Sequence, residues 1–173
     1  MKNTNKMVFM ALLVAQALVL YIFEGMIPVP FITPGAKLGL SNIVTVIALY
    51  TLSYKETFII IFLRILLSTM FGGSLSSFMY SVAGALLSYI IMIIVKTVGK
   101  NKVSIIGVSS SGAVFHNIGQ LLMAAMIVQN IGVMLYLPIL TIAGVGTGIF
   151  VGITSNYATK HLSKIKYLKG ISQ

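Results

Sequence analysis

The chain has 173 residues, 58% hydrophobic and 8% charged, with 12 Lys plus Arg against two acidic residues, a net charge of +10 and a mean hydropathy of +1.03. That balance excludes a water-soluble globular domain, in which about a quarter of residues are charged. It also excludes a nucleic-acid binder, because the lysines lie between apolar runs, where they act as topology and lipid-headgroup signals. The absence of cysteine removes disulfides, thiolate chemistry and Cys-based metal sites, and two histidines with two glutamates argue against a buried metal centre.

Lys2 and Lys6 precede the first apolar run, which is longer than a signal-peptide core and has no small-residue cleavage site after it. It is expected to be a retained first helix over 7–24. Pro28, Pro30 and Pro34 then make a stiff, non-helical connection. A second helix is expected over 36–53, and Tyr54-Lys55-Glu56 reads as a tight turn before a third helix over 57–70. A short turn at 71–74 leads to a fourth helix over 75–98. A fifth follows over 104–129, and the 130–138 stretch turns the chain into a sixth over 139–161.

The fold class expected is therefore an all-α membrane protein, a single integral membrane domain over 1–173 with six transmembrane helices. Each is near the ~20 residues that a bilayer demands. Lys2 and Lys6, Lys55, the Lys96/Lys100/Lys102 group and the C-terminal lysines fall on alternate ends of successive helices. By the positive-inside rule that side is cytoplasmic, and so are both termini. The opposite side holds the four prolines and a single lysine, Lys37.

Polar residues inside the apolar spans are the candidate functional groups. A charge at the bilayer centre costs about 2.5–3.5 kcal/mol and normally faces a partner or a cavity. Arg64 is such a charge, midway along the third helix, and Glu24 ends the first. Lys37 and Asn42 lie in the outer half of the second helix. His116, Asn117 and Gln120 form a stripe on the fifth, spaced three and four apart. By depth these groups concentrate from the midplane outward. A pocket open to the outside is expected from them, with the 27–34 segment as a lid and a neutral-to-anionic small molecule as ligand. The competing reading of the same residues is structural: an internal staple at Arg64, hydrogen-bonded glue on the fifth helix and snorkelling at Lys37.

Small residues make a second pattern. Ala11 and Ala15 are four apart on the first helix, and Gly144, Gly148 and Gly152 stack on one face of the sixth. Such spacing lets helix backbones approach closely. No Gly-rich phosphate loop with Lys-Ser/Thr is present, and without Asp the magnesium sites of prenyl-diphosphate chemistry are not built. Glu56 lies far from Glu24, so a carboxylate pair is not expected either. The chain is expected not to be an enzyme and to need no cofactor or metal.

The motifs PGAKLGLSNIVT, the arginine followed by FGG, and HNIGQ before a YLP turn resemble the Gx transporter family, also labelled heptaprenyl diphosphate synthase component I. The resemblance spans about 34–152. That family is similar to the substrate-binding S components of energy-coupling-factor transporters, six-helix proteins that capture vitamins from the outer side and dock on a transmembrane coupling protein with two ATPases. The resemblance implies Lys37, Asn42, His116, Asn117 and Gln120 as pocket residues and Ala11 with Ala15 as the contact with a coupling protein. It implies a multi-pass protein of the bacterial cytoplasmic membrane that takes a vitamin, a flavin or an isoprenoid- or quinone-related molecule. The alternative it implies is a non-catalytic accessory subunit of isoprenoid or menaquinone biosynthesis.

Overall fold

The computed structural model describes residues 2–26, 39–71 and 74–164, and every regular element in them is helical. Six α-helices follow one another: α1 (Lys2–Met26), α2 (Asn42–Thr51), α3 (Tyr54–Met70), α4 (Leu75–Gly99), α5 (Ile105–Val128) and α6 (Leu137–Leu162). Short 3-10 turns at Lys100–Lys102 and Ile131–Tyr136 join the last three. Among the described residues, four stretches are long and apolar enough to cross a membrane: Thr4–Met26, Leu75–Gly99, Ile105–Val128 and Ile131–Leu162.

Local chemistry sets the helix starts. Ser74 and Ser104 accept hydrogen bonds from Ser77 N and Gly107 N at 3.1 and 3.2 Å, capping α4 and α5. At α3 the expected 54–56 turn is instead the first helical turn. Ser53 and Glu56 form a reciprocal capping box, with Ser53 N donating to the Glu56 carboxylate at 3.0 Å and Glu56 N to Ser53 Oγ at 3.4 Å.

The second helix departs most from expectation. It begins at Asn42 rather than 36, and its ten residues rise only ~15 Å. Positions 36–38 lie outside the described residues. Residues 39–41 form a turn, because Gly39 sits at φ +88 and commits its N–H to the Glu24 carboxylate. Tight bonds from Asn42 N to Gly39 O (2.9 Å) and from Ile43 N to Leu40 O (3.0 Å) then open the helix. Eight of the ten α2 residues are buried, as expected of a helix apolar on all sides.

Glycines join α5 to α6. A methyl group on Gly144, Gly148 or Gly152 would stand 3.2, 2.4 or 2.6 Å from the Cα of Val114, Ser110 or Ile106, so the two backbones touch along the ladder. On the other side of α5, Gly119 packs against the Ala83 carbonyl of α4. Apolar side chains such as Phe58, Phe62 and Leu66 on α3, and Ile142, Ile149 and Phe150 on α6, are exposed on the outside of the bundle.

Side-chain ties define the two ends of the bundle. Lys6 pairs with Glu56 at 2.6 Å, joining the starts of α1 and α3. Lys96 donates to Leu49 O at 2.6 Å and lies 4.5 Å over the Tyr50 ring, closing the C-terminus of α2. At the other end, Tyr21 meets Ser77 at 3.4 Å and Glu24 meets Gly39.

Candidate functional site

Four helices and the turn ahead of α2 contribute polar groups to one cavity of about 20 Å³. Glu24 comes from the last turn of α1, and Gly39 and Ser41 from the turn into α2. Arg64 and Ser68 come from α3, Ser81 from α4, and His116 and Gln120 from α5. Glu24, Arg64, His116 and Gln120 are only 3, 4, 5 and 6% exposed, so none of them faces lipid.

Arg64 is buried because it shares the inward face of α3 with Ile60, Ile61, Ile65 and Ser68. Its Nη1 donates to Ser41 Oγ at 2.8 Å and to Asn42 Oδ1 at 3.3 Å. Glu24, on the same cavity wall, supplies the compensating negative charge. Removing two ions from water costs several kcal/mol each, which their attraction offsets only when further hydrogen bonds complete the site. Ser41, Asn42 and the Gly39 N–H supply those bonds.

On α5 the polar stripe divides. His116 and Gln120 bond to each other through their Nε2 atoms at 3.1 Å and face the cavity. Asn117 is rotated away by one residue of helix and donates to Leu140 O at the start of α6, at 2.8 Å. Asn117 therefore ties α5 to α6 and takes no place in the cavity wall. Asn42 meets the site through Arg64 and through its backbone bond to Gly39 O. Lys37 and the 27–34 segment lie outside the described residues.

A cavity of about 20 Å³ accommodates roughly one water. Small-molecule pockets run to about 300–1,000 Å³, so the polar chamber among the described residues is far below that size. Arg64 donates to Ser41 Oγ and the Gly39 N–H to the Glu24 carboxylate, while Gln120 Nε2 meets His116 Nε2. Glu56 stands at the opposite end of the bundle, and among the described residues no three His, Asp or Glu side chains gather around a point.

Sequence reasoning did not identify Ser41, Ser68, Ser81, Tyr21 or Gly39 as part of this site. Ser41, directly ahead of an apolar helical run, carries a recognisable helix-start signal; the others show none before the helices are packed.

Ala11 and Ala15 are both exposed on α1. Ala15 borders an apolar groove of about 370 Å³ between α1 and α2, with Leu12, Gln16 and Ile47. The same three residues continue into a cleft of about 540 Å³ that reaches Ala158 and Leu162 of α6.

Comparison with curated proteins and with solved structures gives no match in either. The family model described as heptaprenyl diphosphate synthase component I matches residues 13–158, a stretch that holds Glu24, Asn42, Arg64 and the His116–Gln120 pair. The chain belongs to the heptaprenyl diphosphate synthase component I family.

Proposed function

We propose that this protein is a non-enzymatic transport subunit that binds a small molecule inside its bundle, in the manner of an S component, and is energised by a coupling protein with ATPases. The observation that carries the reading is the convergence of Glu24, Ser41, Arg64, His116 and Gln120 on one buried chamber at the N-terminus of a short helix. Transporters build ligand sites in this way, with half-helix ends pointing at charged groups within the membrane. A bundle held together only by packing has no use for a buried cation beside a buried carboxylate, since apolar replacements are commonly as stable.

In this reading the chain crosses the bacterial cytoplasmic membrane six times, with α2 and α3 as the second and third crossings and both termini in the cytoplasm. The one-sided lysines and the ties of Lys6 and Lys96 at one end of the bundle support that orientation. The chamber then lies towards the outer side. Ligand capture requires the chamber to widen from its present 20 Å³. The ligand class is a vitamin, flavin or isoprenoid-related molecule with an anionic or neutral polar group.

Mass spectrometry of small molecules released from protein purified in mild detergent tests the binding. A stoichiometric small molecule is expected, and an empty preparation from the native host would refute it. Ala11→Leu and Ala15→Leu are expected to abolish co-purification of a coupling protein; intact assembly in both removes the interface.

A second reading rests on the family description and on the 540 Å³ apolar cleft. In it the chain is a non-catalytic accessory subunit that presents an isoprenoid chain to a partner enzyme. Recovery of a synthase, with no ATPase, from crosslinked native membranes would favour this reading over transport.

A further inference from the structure

The 540 Å³ cleft is apolar along its length and polar at one end. Val8 and Leu12 of α1, Ile47 of α2 and Leu162 of α6 line it, and Asn5 and His161 add polar side chains where α1 begins and α6 ends. From Asn5 to Gln16, which also lines it, α1 rises about 16 Å. That is about half of the ~30 Å hydrocarbon core of a bilayer, the depth of one leaflet. Spread over that length, 540 Å³ leaves a cross-section of about 34 Å². One extended hydrocarbon chain fits such a space, whereas a helix about 10 Å across fills roughly 80 Å².

Charge marks the polar end. Lys160 and His161 lie in the last turn of α6, and Lys164 follows with its N–H on the His161 carbonyl at 3.1 Å. All three are exposed. The chain has two acidic residues, Glu24 and Glu56. Glu56 is taken by Lys6 at 2.6 Å, and Glu24 is buried in the polar chamber at the other end of the bundle. No acidic side chain therefore remains to neutralise Lys160 and Lys164, and their counter-charge comes from outside the chain.

We infer that the cleft is the seat of an anionic phospholipid from the leaflet at this end of the bundle. One acyl chain lies along Val8, Leu12 and Ile47, and the phosphate meets Asn5, His161 and Lys164. Basic residues at the mouth of a groove between membrane helices hold anionic headgroups in this way, and the Asn5 amide and His161 ring add N–H donors. Such a lipid is a different occupant from the isoprenoid chain of the accessory-subunit reading, and it needs no widening of the polar chamber.

The test uses the full chain, purified in mild detergent and stripped of lipid. Dioleoyl phosphatidylglycerol, dioleoyl phosphatidylcholine and a polyprenyl phosphate are the probes, read by native mass spectrometry. Phosphatidylglycerol is expected to be retained about tenfold more than phosphatidylcholine. His161→Glu with Lys164→Glu is expected to erase that preference. Leu12→Trp, which fills the cleft, is expected to cut retention of phosphatidylglycerol about tenfold, whereas Phe62→Trp on the exposed face of α3 leaves it unchanged. Because the variants risk misfolding, wild type is also labelled with a phosphatidylglycerol that carries a diazirine in its acyl chain, and adducts are expected at Val8, Leu12 or Leu162. Equal retention of the two phospholipids, an intact preference in the folded double variant, or adducts spread evenly over α3 overturns the assignment. Displacement of phosphatidylglycerol by equimolar polyprenyl phosphate also overturns it and gives the cleft to the isoprenoid reading. Loss of the adducts when a membrane protein co-purifies gives the cleft to a partner helix instead.

Discussion

A methyl group on Gly148 would stand 2.4 Å from Ser110 Cα, 3.0 Å from Ala113 Cβ and 3.1 Å from Ser109 O. Carbon atoms rest at about 3.5–4.0 Å, so Gly148→Ala forces α6 to retreat from α5 by about 1 Å at that point. Ser110 Cα is main chain in the interior of α5, and no rotamer change relieves the clash. Overpacking of this kind costs about 1–3 kcal/mol, against which alanine returns about 0.5–1 kcal/mol of helix propensity. A net loss of up to roughly 2.5 kcal/mol is expected. Gly146, on the same helix, has nothing within 4 Å of its added methyl. Gly146→Ala therefore keeps only the propensity gain and is expected to stabilise by about 0.5–1 kcal/mol. Equilibrium unfolding of both variants in mixed micelles, followed by far-UV circular dichroism, measures the difference in sign. If Gly148→Ala proves as stable as Gly146→Ala, the backbone contact between α5 and α6 does not exist as described.

Arg64→Met removes the charge that faces Glu24 and is expected to cost about 3–5 kcal/mol, while adding Glu24→Gln recovers part of it. Strict additivity in that double-mutant cycle would show that the two charges do not interact. Asn117→Leu and Gln120→Leu separate packing from site: the first is expected to lose about 1 kcal/mol of stability and keep its bound small molecule. The second is expected to lose the molecule, and mass spectrometry beside unfolding distinguishes them. The Glu56 carboxyl lies below its ordinary value of 4.5: burial acts to raise it and is outweighed by Lys6 and by the Ser53 N–H and hydroxyl. Its contribution is thus complete above pH 4.5 and is lost as pH falls through the lowered folded value. Wild type and Glu56→Gln should differ in Tm near neutral pH and converge in acid; parallel curves would refute the linkage.

The helix order was legible because five of the six segments announce themselves by apolar length and by turn residues. α4 and α5 begin and end within a residue or so of expectation, bounded by Ser74, Gly99, Ser104 and Gln129. The capping box at Ser53 and Glu56 was also written in the chain, as Ser-x-x-Glu ahead of an apolar run, and the tight-turn reading of 54–56 overlooked it. The start of α2 was not legible. Leu38, Gly39 and Leu40 continue the apolar pattern, while the left-handed φ of Gly39 and its bond to Glu24, 15 residues away, accompany a turn at 39–41.

Composition and one-dimensional periodicity by themselves determined the apolar all-helical class, the helix order and the glycine ladder of α6. Each of these follows from the solvent a segment meets or from the 3.6-residue repeat. Tertiary packing alone decided which polar residues share a chamber. One residue of helical rotation sent Asn117 to the Leu140 carbonyl and left His116 and Gln120 facing Arg64. Packing likewise added Ser68 and Ser81, whose sequence neighbours mark nothing unusual, and set the helix-start residue Ser41 against Arg64. A buried charge predicts that a partner exists; its identity depends on which helix faces lie opposite, a long-range property carried by no single segment.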